Sequence, residues 1–99
     1  MFTYDIEINE AKTATKHSWI AGDYILNIVK HVDRATHYYI ENPIDGPEIY
    51  VDNYSDDHKV SVNWSAMGNR PAAEAREYAE QLVEAAEVAE SFQKIIAAF

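Results

Sequence analysis

Cysteine is absent from this 99-residue sequence, so disulfide bonds, cysteine-ligated zinc and thiol chemistry are excluded. Small secreted domains often depend on disulfides, and the absence of cysteine therefore favours a reducing cytoplasm. No apolar stretch approaches the roughly 20 residues of a membrane-spanning helix, and the first residues lack the basic and apolar regions of a signal peptide. We expect a soluble cytoplasmic protein that does not bind membranes.

Basic side chains are also scarce: 8 Lys and Arg stand against 17 Asp and Glu, which gives a formal charge of −9. This charge opposes direct binding to nucleic acid and favours a basic partner protein. The hydrophobic fraction of 47% is sufficient for a folded core, and the length allows one core. Residues 1–99 are therefore interpreted as a single domain.

Alternating and β-branched residues predict most of the strands. Residues 2–8 place Phe2, Tyr4, Ile6 and Ile8 on one side of a strand. Residues 13–21 can pair back on it, and residues 37–40 predict another short strand. Residues 49–54 and 59–66 predict a hairpin.

Residues 23–34 allow two interpretations. Asp23 could cap a helix, and apolar residues then fall on one helical face, namely Ile25, Ile28, Val29 and Val32. A strand is the rival, because Tyr24, Leu26 and Ile28 also alternate. We favour the helix.

The longest pattern follows Pro71, after which neither glycine nor proline occurs up to Phe99. Apolar residues recur there every three or four positions, as a helix seam requires: Ala75, Tyr78, Leu82, Ala85, Ala89, Phe92, Ile96 and Phe99. The predicted fold is α+β in the order β-β-α-β-β-β-α. Four to five mainly antiparallel strands form its sheet, and the C-terminal amphipathic helix packs on one face.

Acidic residues supply the candidate partner-binding site. One group repeats along the helix on the side away from the apolar seam and consists of Glu77, Glu80, Glu84, Glu87 and Glu90. A second group occupies the predicted loops and includes Asp52, Asp56, Asp57 and the neighbouring Tyr54. Two interpretations fit: a solvated surface, or a surface that imitates the charge of a nucleic-acid backbone and binds a basic protein groove.

Catalytic and cofactor signatures are missing from the sequence. His31, Asp33 and His37 lack the spacing of paired metal ligands on a helix. The serines stand in no nucleophile-elbow sequence, and the glycines match no phosphate-binding loop. We expect no enzymatic activity, no metal and no cofactor.

Two short segments carry a family resemblance. The Ile20-Ala21-Gly22-Asp23 junction resembles small uncharacterised bacteriophage proteins, and residues 64–68 followed by an Ala/Glu helix look similar to phage and prophage proteins. The resemblance implies an accessory protein in a bacterial host. This class includes anti-CRISPR and other anti-defence inhibitors.

Two functions follow as hypotheses. The first is a non-catalytic inhibitor that binds a basic, nucleic-acid-handling host protein through carboxylates. The second is an assembly module that forms a homodimer through the C-terminal helix. A helix of this length spans about 42 Å, so we expect its end to overhang a small sheet and to expose Phe92, Ile95, Ile96 and Phe99.

Overall fold

A computed structural model describes residues 3–63 and 69–99. In that part of the chain, six strands precede one helix: β1 (Thr3–Ile8), β2 (Ala14–Ala21), β3 (Tyr24–His31), β4 (His37–Glu41), β5 (Glu48–Val51), β6 (Val60–Asn63) and α1 (Ala72–Ala98). The first four form an antiparallel sheet in the order β1-β2-β3-β4, and β5 pairs antiparallel with β6 in a separate sheet. The α+β class with a C-terminal helix is confirmed.

The helix predicted over residues 23–34 is wrong, because β3 occupies this segment. Gly22 adopts a φ of 61° and forms a two-residue turn with Asp23, so that Ala21 pairs with Tyr24. Glycine adopts a positive φ without steric cost, and such turns connect hairpin strands. Asp23 is therefore a turn residue and not a helix cap.

The remaining strand predictions hold with limits that differ by a few residues. β4 matches the strand predicted at 37–40, and the hairpin predicted from residue 49 appears as β5 and β6. Its two strands form their own sheet and do not join the first one, which departs from the single sheet that we expected. Phe2 and the predicted strand end at 64–66 lie outside the described residues.

The core lies between α1 and the two sheets. Phe92 is fully buried together with Leu26 and Ile28 of β3 and Ile49 of β5. Burial of such a side chain stabilises the fold by about 1.5–3 kcal/mol. The buried part of the predicted helix seam comprises Ala85, Ala89, Phe92 and Ile96.

The end of α1 that extends beyond the core is the N-terminal one. Residues 72–77 are exposed, whereas Phe92 and Ile96 are 0% and 6% exposed. The expectation that the C-terminal end overhangs is therefore wrong. The protruding helix contributes to an elongated molecule of 52 × 26 × 21 Å with a radius of gyration of 15.6 Å, compared with about 13 Å for a compact domain of this size.

Side-chain amides fix the small sheet beside the large one. Asn42 bonds the backbone of Ile49 in β5 through both amide atoms, at 3.0 and 2.7 Å. Asn53 bonds the backbone of Tyr38 in β4 in the same way, at 2.7 and 2.8 Å. These contacts place the β5–β6 hairpin against the β4 edge and bring its tip close to α1.

Candidate partner-binding surfaces

The five predicted glutamates form one stripe along α1. Glu77, Glu80, Glu84, Glu87 and Glu90 are all exposed, and at 100° per residue they lie opposite the buried seam. The stripe runs for about 20 Å along the helix axis. Within the described part of the chain, none of these carboxylates lies in an ion pair. Their charge is therefore left to solvent or to a partner.

The spacing of the stripe can be compared with that of a nucleic acid. Five carboxylates over about 20 Å give one charge per about 5 Å. A single strand of B-DNA carries one charge per roughly 3.4 Å of helix axis. The stripe has the regular repeat of a phosphate backbone but a lower charge density.

The predicted loop residues lie at the tip of the β5–β6 hairpin. The Asp52 carboxylate accepts a hydrogen bond from the Tyr54 backbone N–H at 2.8 Å and so shapes the turn. Asp56 and Asp57 are exposed and lie in no ion pair among the described residues. Tyr54 has a relative exposure of 101%. The tip thus presents two carboxylates and one aromatic ring to solvent.

Gln93 joins the hairpin tip to the helix stripe. Its Oε1 accepts a hydrogen bond from the Val60 backbone N–H at 2.6 Å, and its Nε2 donates to the carbonyl oxygens of Asp57 at 3.4 Å and His58 at 3.3 Å. Glu90 precedes Gln93 by three residues, which is less than one helical turn. Gln93 therefore holds the hairpin tip beside the part of α1 where the stripe ends, although Asp57 and Glu90 are 33 positions apart in the sequence.

A cluster of aromatic rings at the C-terminal end of α1 was not predicted. It consists of Tyr4 on β1, His17 and Trp19 on β2, and Phe99 after α1. The Phe99 ring lies edge-on to His17 at 4.7 Å and to Trp19 at 5.4 Å between centroids. Lys30 covers the same ring, with its Nζ at 4.3 Å from the centroid. Alternation in β2 placed His17 and Trp19 together, but no local pattern relates them to Phe99.

The pKa of His17 is lowered in this cluster. Burial lowers the pKa of its imidazole from the ordinary value of 6.5, and the positive charge of Lys30 lowers this pKa further. The Tyr4 hydroxyl lies 2.6 Å from Nδ1, within hydrogen-bond distance. The arrangement orients the ring against β1. Its hydrogen-bond partner is a phenol and not the carboxylate that commonly orients a catalytic histidine.

Metal-binding and membrane-spanning features were also sought in the structure. Over residues 3–63 and 69–99, no group of three His, Asp or Glu side chains is arranged to hold a metal ion. In the same ranges, no helix combines the length and apolar character needed to cross a membrane.

Comparisons with known proteins give no family for this chain. No protein-family model, no curated protein and no solved structure matches it.

Proposed function

We propose that the protein is a non-catalytic inhibitor that binds a basic, nucleic-acid-handling protein through an acidic surface. This acidic surface consists of the helix stripe and the hairpin tip: Glu77, Glu80, Glu84, Glu87, Glu90, Asp52, Asp56, Asp57 and Tyr54. The observation that carries the proposal is the continuity of unpaired carboxylates from α1 to the tip through Gln93.

The charge distribution supports this function. A solubilising surface usually mixes both signs of charge in comparable numbers. This helix face carries five glutamates against two basic residues, Arg76 and Lys94, and none of the five glutamates lies in an ion pair among the described residues. Such a face attracts a basic groove over distances comparable to the Debye length, about 8 Å at physiological salt. Tyr54 adds an exposed ring beside the charges, and aromatic rings are frequent anchors in protein interfaces.

The proposed setting is a bacterial host, in which the protein acts against a defence complex as anti-CRISPR proteins do. The resemblance of the Ile20-Ala21-Gly22-Asp23 junction to small phage proteins motivates this setting. A nucleic-acid-handling complex offers the basic groove that the acidic surface fits. By occupying that groove, the protein would compete with nucleic acid.

The test compares two variants with the same net charge. One carries Glu77→Gln, Glu80→Gln, Glu84→Gln and Glu87→Gln. The other neutralises four exposed acidic residues outside the acidic surface, with Glu10→Gln, Asp23→Asn, Asp33→Asn and Asp45→Asn. Each variant changes the net charge from −9 to −5, because −9 + 4 = −5. Any difference between them therefore reports position and not total charge.

Each protein is used to capture basic nucleic-acid-binding proteins from bacterial lysate, and the captured complex is challenged with duplex DNA. We expect wild type and the second variant to retain the partner, and the first variant to lose it. DNA should displace wild type from the partner in a concentration-dependent way. Equal retention by both variants, or indifference to DNA, would refute the proposed function.

The alternative, a homodimer formed through the apolar seam of α1, receives no support from the fold. Phe92 and Ile96 pack inside the same chain, so the end of the helix that was expected to need a partner has one already. The protruding residues 72–77 are rich in alanine and glutamate and offer little apolar area.

A further inference from the structure

The outer edge of β1 presents backbone groups to solvent. The Asn9 backbone N–H donates to the Ala14 carbonyl at 3.1 Å, which fixes the alternation of the β1–β2 ladder. Odd-numbered residues of β1 consequently point their backbone groups toward β2, and even-numbered residues point theirs away. The outward-pointing backbone belongs to Tyr4, Ile6 and Ile8.

In residues 3–63 and 69–99, a side-chain amide forms hydrogen bonds with one outward-facing residue on each of the other three sheet edges. Asn53 bonds both backbone groups of Tyr38 on β4. Asn42 does the same for Ile49 on β5. On β6, Gln93 accepts the Val60 backbone N–H.

No other element in the described chain bonds the outer edge of β1. Its one satisfied outward donor is the Ile6 N–H, which bonds the adjacent Asp5 carboxylate at 2.9 Å. Among the described residues, the edges of β4, β5 and β6 thus each have one residue bonded by a side chain from another segment, whereas the only such bond on the edge of β1 comes from the adjacent Asp5. An open edge is a template for pairing with another strand.

The side chains of β1 divide into an apolar row and an acidic row. Tyr4, Ile6 and Ile8 are 50%, 50% and 62% exposed on the face that carries α1. The end of α1 contacts the neighbouring strand β2, where Phe99 lies against His17 and Trp19. Asp5 and Glu7 occupy the opposite face and are exposed as well; Glu7 forms an ion pair with Lys16 of β2 at 3.0 Å, and Asp5 lies in no ion pair among the described residues. Exposed apolar side chains beside an open backbone edge favour a partner strand.

We propose that β1 binds an extended segment of another protein, in which apolar and basic residues alternate. The segment adds a strand antiparallel to β1 and bonds the outward backbone groups of Tyr4, Ile6 and Ile8. Its apolar side chains cover the apolar row, and its lysine or arginine side chains face Asp5 and Glu7. Directly opposite side chains share a face in an antiparallel pair, so this pattern matches both rows at once.

A second copy of this chain is a poor binding partner for the β1 edge, because both copies carry acidic residues there. A self-paired β1 that keeps apolar residues opposite apolar residues also places acidic residues opposite acidic residues. The pairing centred on Ile6, for example, sets Asp5 of each copy against Glu7 of the other, and each copy carries a formal charge of −9. Like charges directly opposite one another destabilise a sheet. The acidic row therefore disfavours self-pairing and selects a basic strand.

The Asp5 carboxylate changes its partner when the strand binds. In the free protein its carboxylate accepts the outward Ile6 N–H. A carbonyl of the incoming strand takes over this N–H, and the released carboxylate pairs with the basic side chain opposite it. Asp5 thus satisfies the Ile6 N–H in the free protein and releases it when a basic strand binds.

The β1 edge and the acidic surface of α1 are separate, and this inference does not depend on the proposed function. The test uses a synthetic peptide of alternating lysine and valine, as long as β1, with blocked ends. A control peptide replaces lysine with glutamate, and a second control carries N-methyl groups on the edge that would face β1. Binding is measured by calorimetry, and backbone amide exchange is followed by NMR.

We expect the lysine peptide to bind and to protect the amides of Tyr4, Ile6 and Ile8 from exchange. In the free protein we expect these amides, of which Ile6 bonds only the adjacent Asp5 carboxylate, to exchange faster than those of Asp5 and Glu7, which face β2. The N-methylated and glutamate peptides should bind at least about tenfold more weakly, because they lack the backbone donors or the opposite charge.

Three protein variants complete the test: Asp5→Lys, its matched control Asp45→Lys, and Ile6→Pro. Asp5→Lys should weaken binding about tenfold. Asp45→Lys makes the same charge change at an exposed loop residue outside both proposed surfaces and should leave binding unchanged. Ile6→Pro should abolish binding by removing an outward donor that β2 does not use, and circular dichroism shows whether this variant folds.

Four results would overturn the proposal. They are unchanged exchange of the even-numbered β1 amides at saturating peptide, equal affinity for the glutamate peptide, an effect of Asp45→Lys as large as that of Asp5→Lys, and protection of the edge in a peptide-free dimer.

Discussion

The side-chain amide of Asn53 forms the two hydrogen bonds with the Tyr38 backbone that a neighbouring strand would form. Its Oδ1 accepts the Tyr38 N–H at 2.8 Å and its Nδ2 donates to the Tyr38 carbonyl at 2.7 Å. These are the two bonds that a paired residue of a fifth strand would make. One side chain therefore ends the large sheet at β4 and holds the β5–β6 hairpin in place beside it.

Asn53→Ala tests this connection. The substitution leaves the part-buried N–H and carbonyl of Tyr38 without partners, and an unsatisfied buried group costs about 1–3 kcal/mol. We expect the free energy of unfolding in urea to fall by that amount. Asn63→Ala, at an exposed position on β6, serves as the control and should change it by less than about 0.5 kcal/mol. Equal effects would show that Asn53 does not join the sheets.

The parts of the fold that sequence predicted are those with a local repeat. The helix seam from Ala85 to Ile96 is visible because α1 buries one face against the rest of the chain. The alternation in β1 is equally visible in the sequence, although both faces of β1 are exposed. The glutamate stripe was predictable for the same reason. Its position relative to the apolar seam depends only on the helical period.

The parts that sequence missed depend on contacts between distant segments. Ile25, Ile28 and Val29 satisfy a helical repeat, so the sequence predicts a helix where β3 lies. The segment is a strand because it pairs with β2 on one side and β4 on the other. The amide contacts of Asn53 and Gln93 have no sequence signature. The same holds for Phe99, whose partners His17 and Trp19 lie about 80 residues earlier.

The turn between β2 and β3 yields a second prediction. Gly22 has a φ of 61°, and a Cβ added there would meet no atom within 4 Å. The cost of Gly22→Ala is therefore conformational, about 1–2 kcal/mol in the free energy of unfolding. D-Alanine at this position, introduced by chemical synthesis, favours a positive φ and should not destabilise the protein. Thermal unfolding of both proteins would measure the difference, and equal losses would contradict the turn assignment.

The core yields a third prediction. Phe92→Ala removes a ring that is fully buried against both sheets, and such substitutions cost about 3–5 kcal/mol. A domain of this size has a total stability of only about 5–15 kcal/mol, so the variant should unfold at far lower urea concentrations. Val83→Ala, at a side chain that is 59% exposed on the same helix, is the control and should have little effect. A mild effect at Phe92 would contradict the packing of α1.

His17 yields a prediction on pH. Burial and the charge of Lys30 lower the pKa of its imidazole in the folded protein below the ordinary 6.5, so acid protonates the unfolded chain first. The contribution of His17 to stability is therefore present above the pKa of the unfolded imidazole. It is lost as the pH falls toward and through the lowered pKa of the folded state.

NMR titration of the His17 ring checks this prediction directly. We expect a midpoint below 6.5 in wild type and a higher midpoint in Lys30→Gln, because that substitution removes the nearby positive charge but leaves the ring buried against Phe99. A wild-type midpoint at or above 6.5 would show that the aromatic cluster does not exclude water from His17.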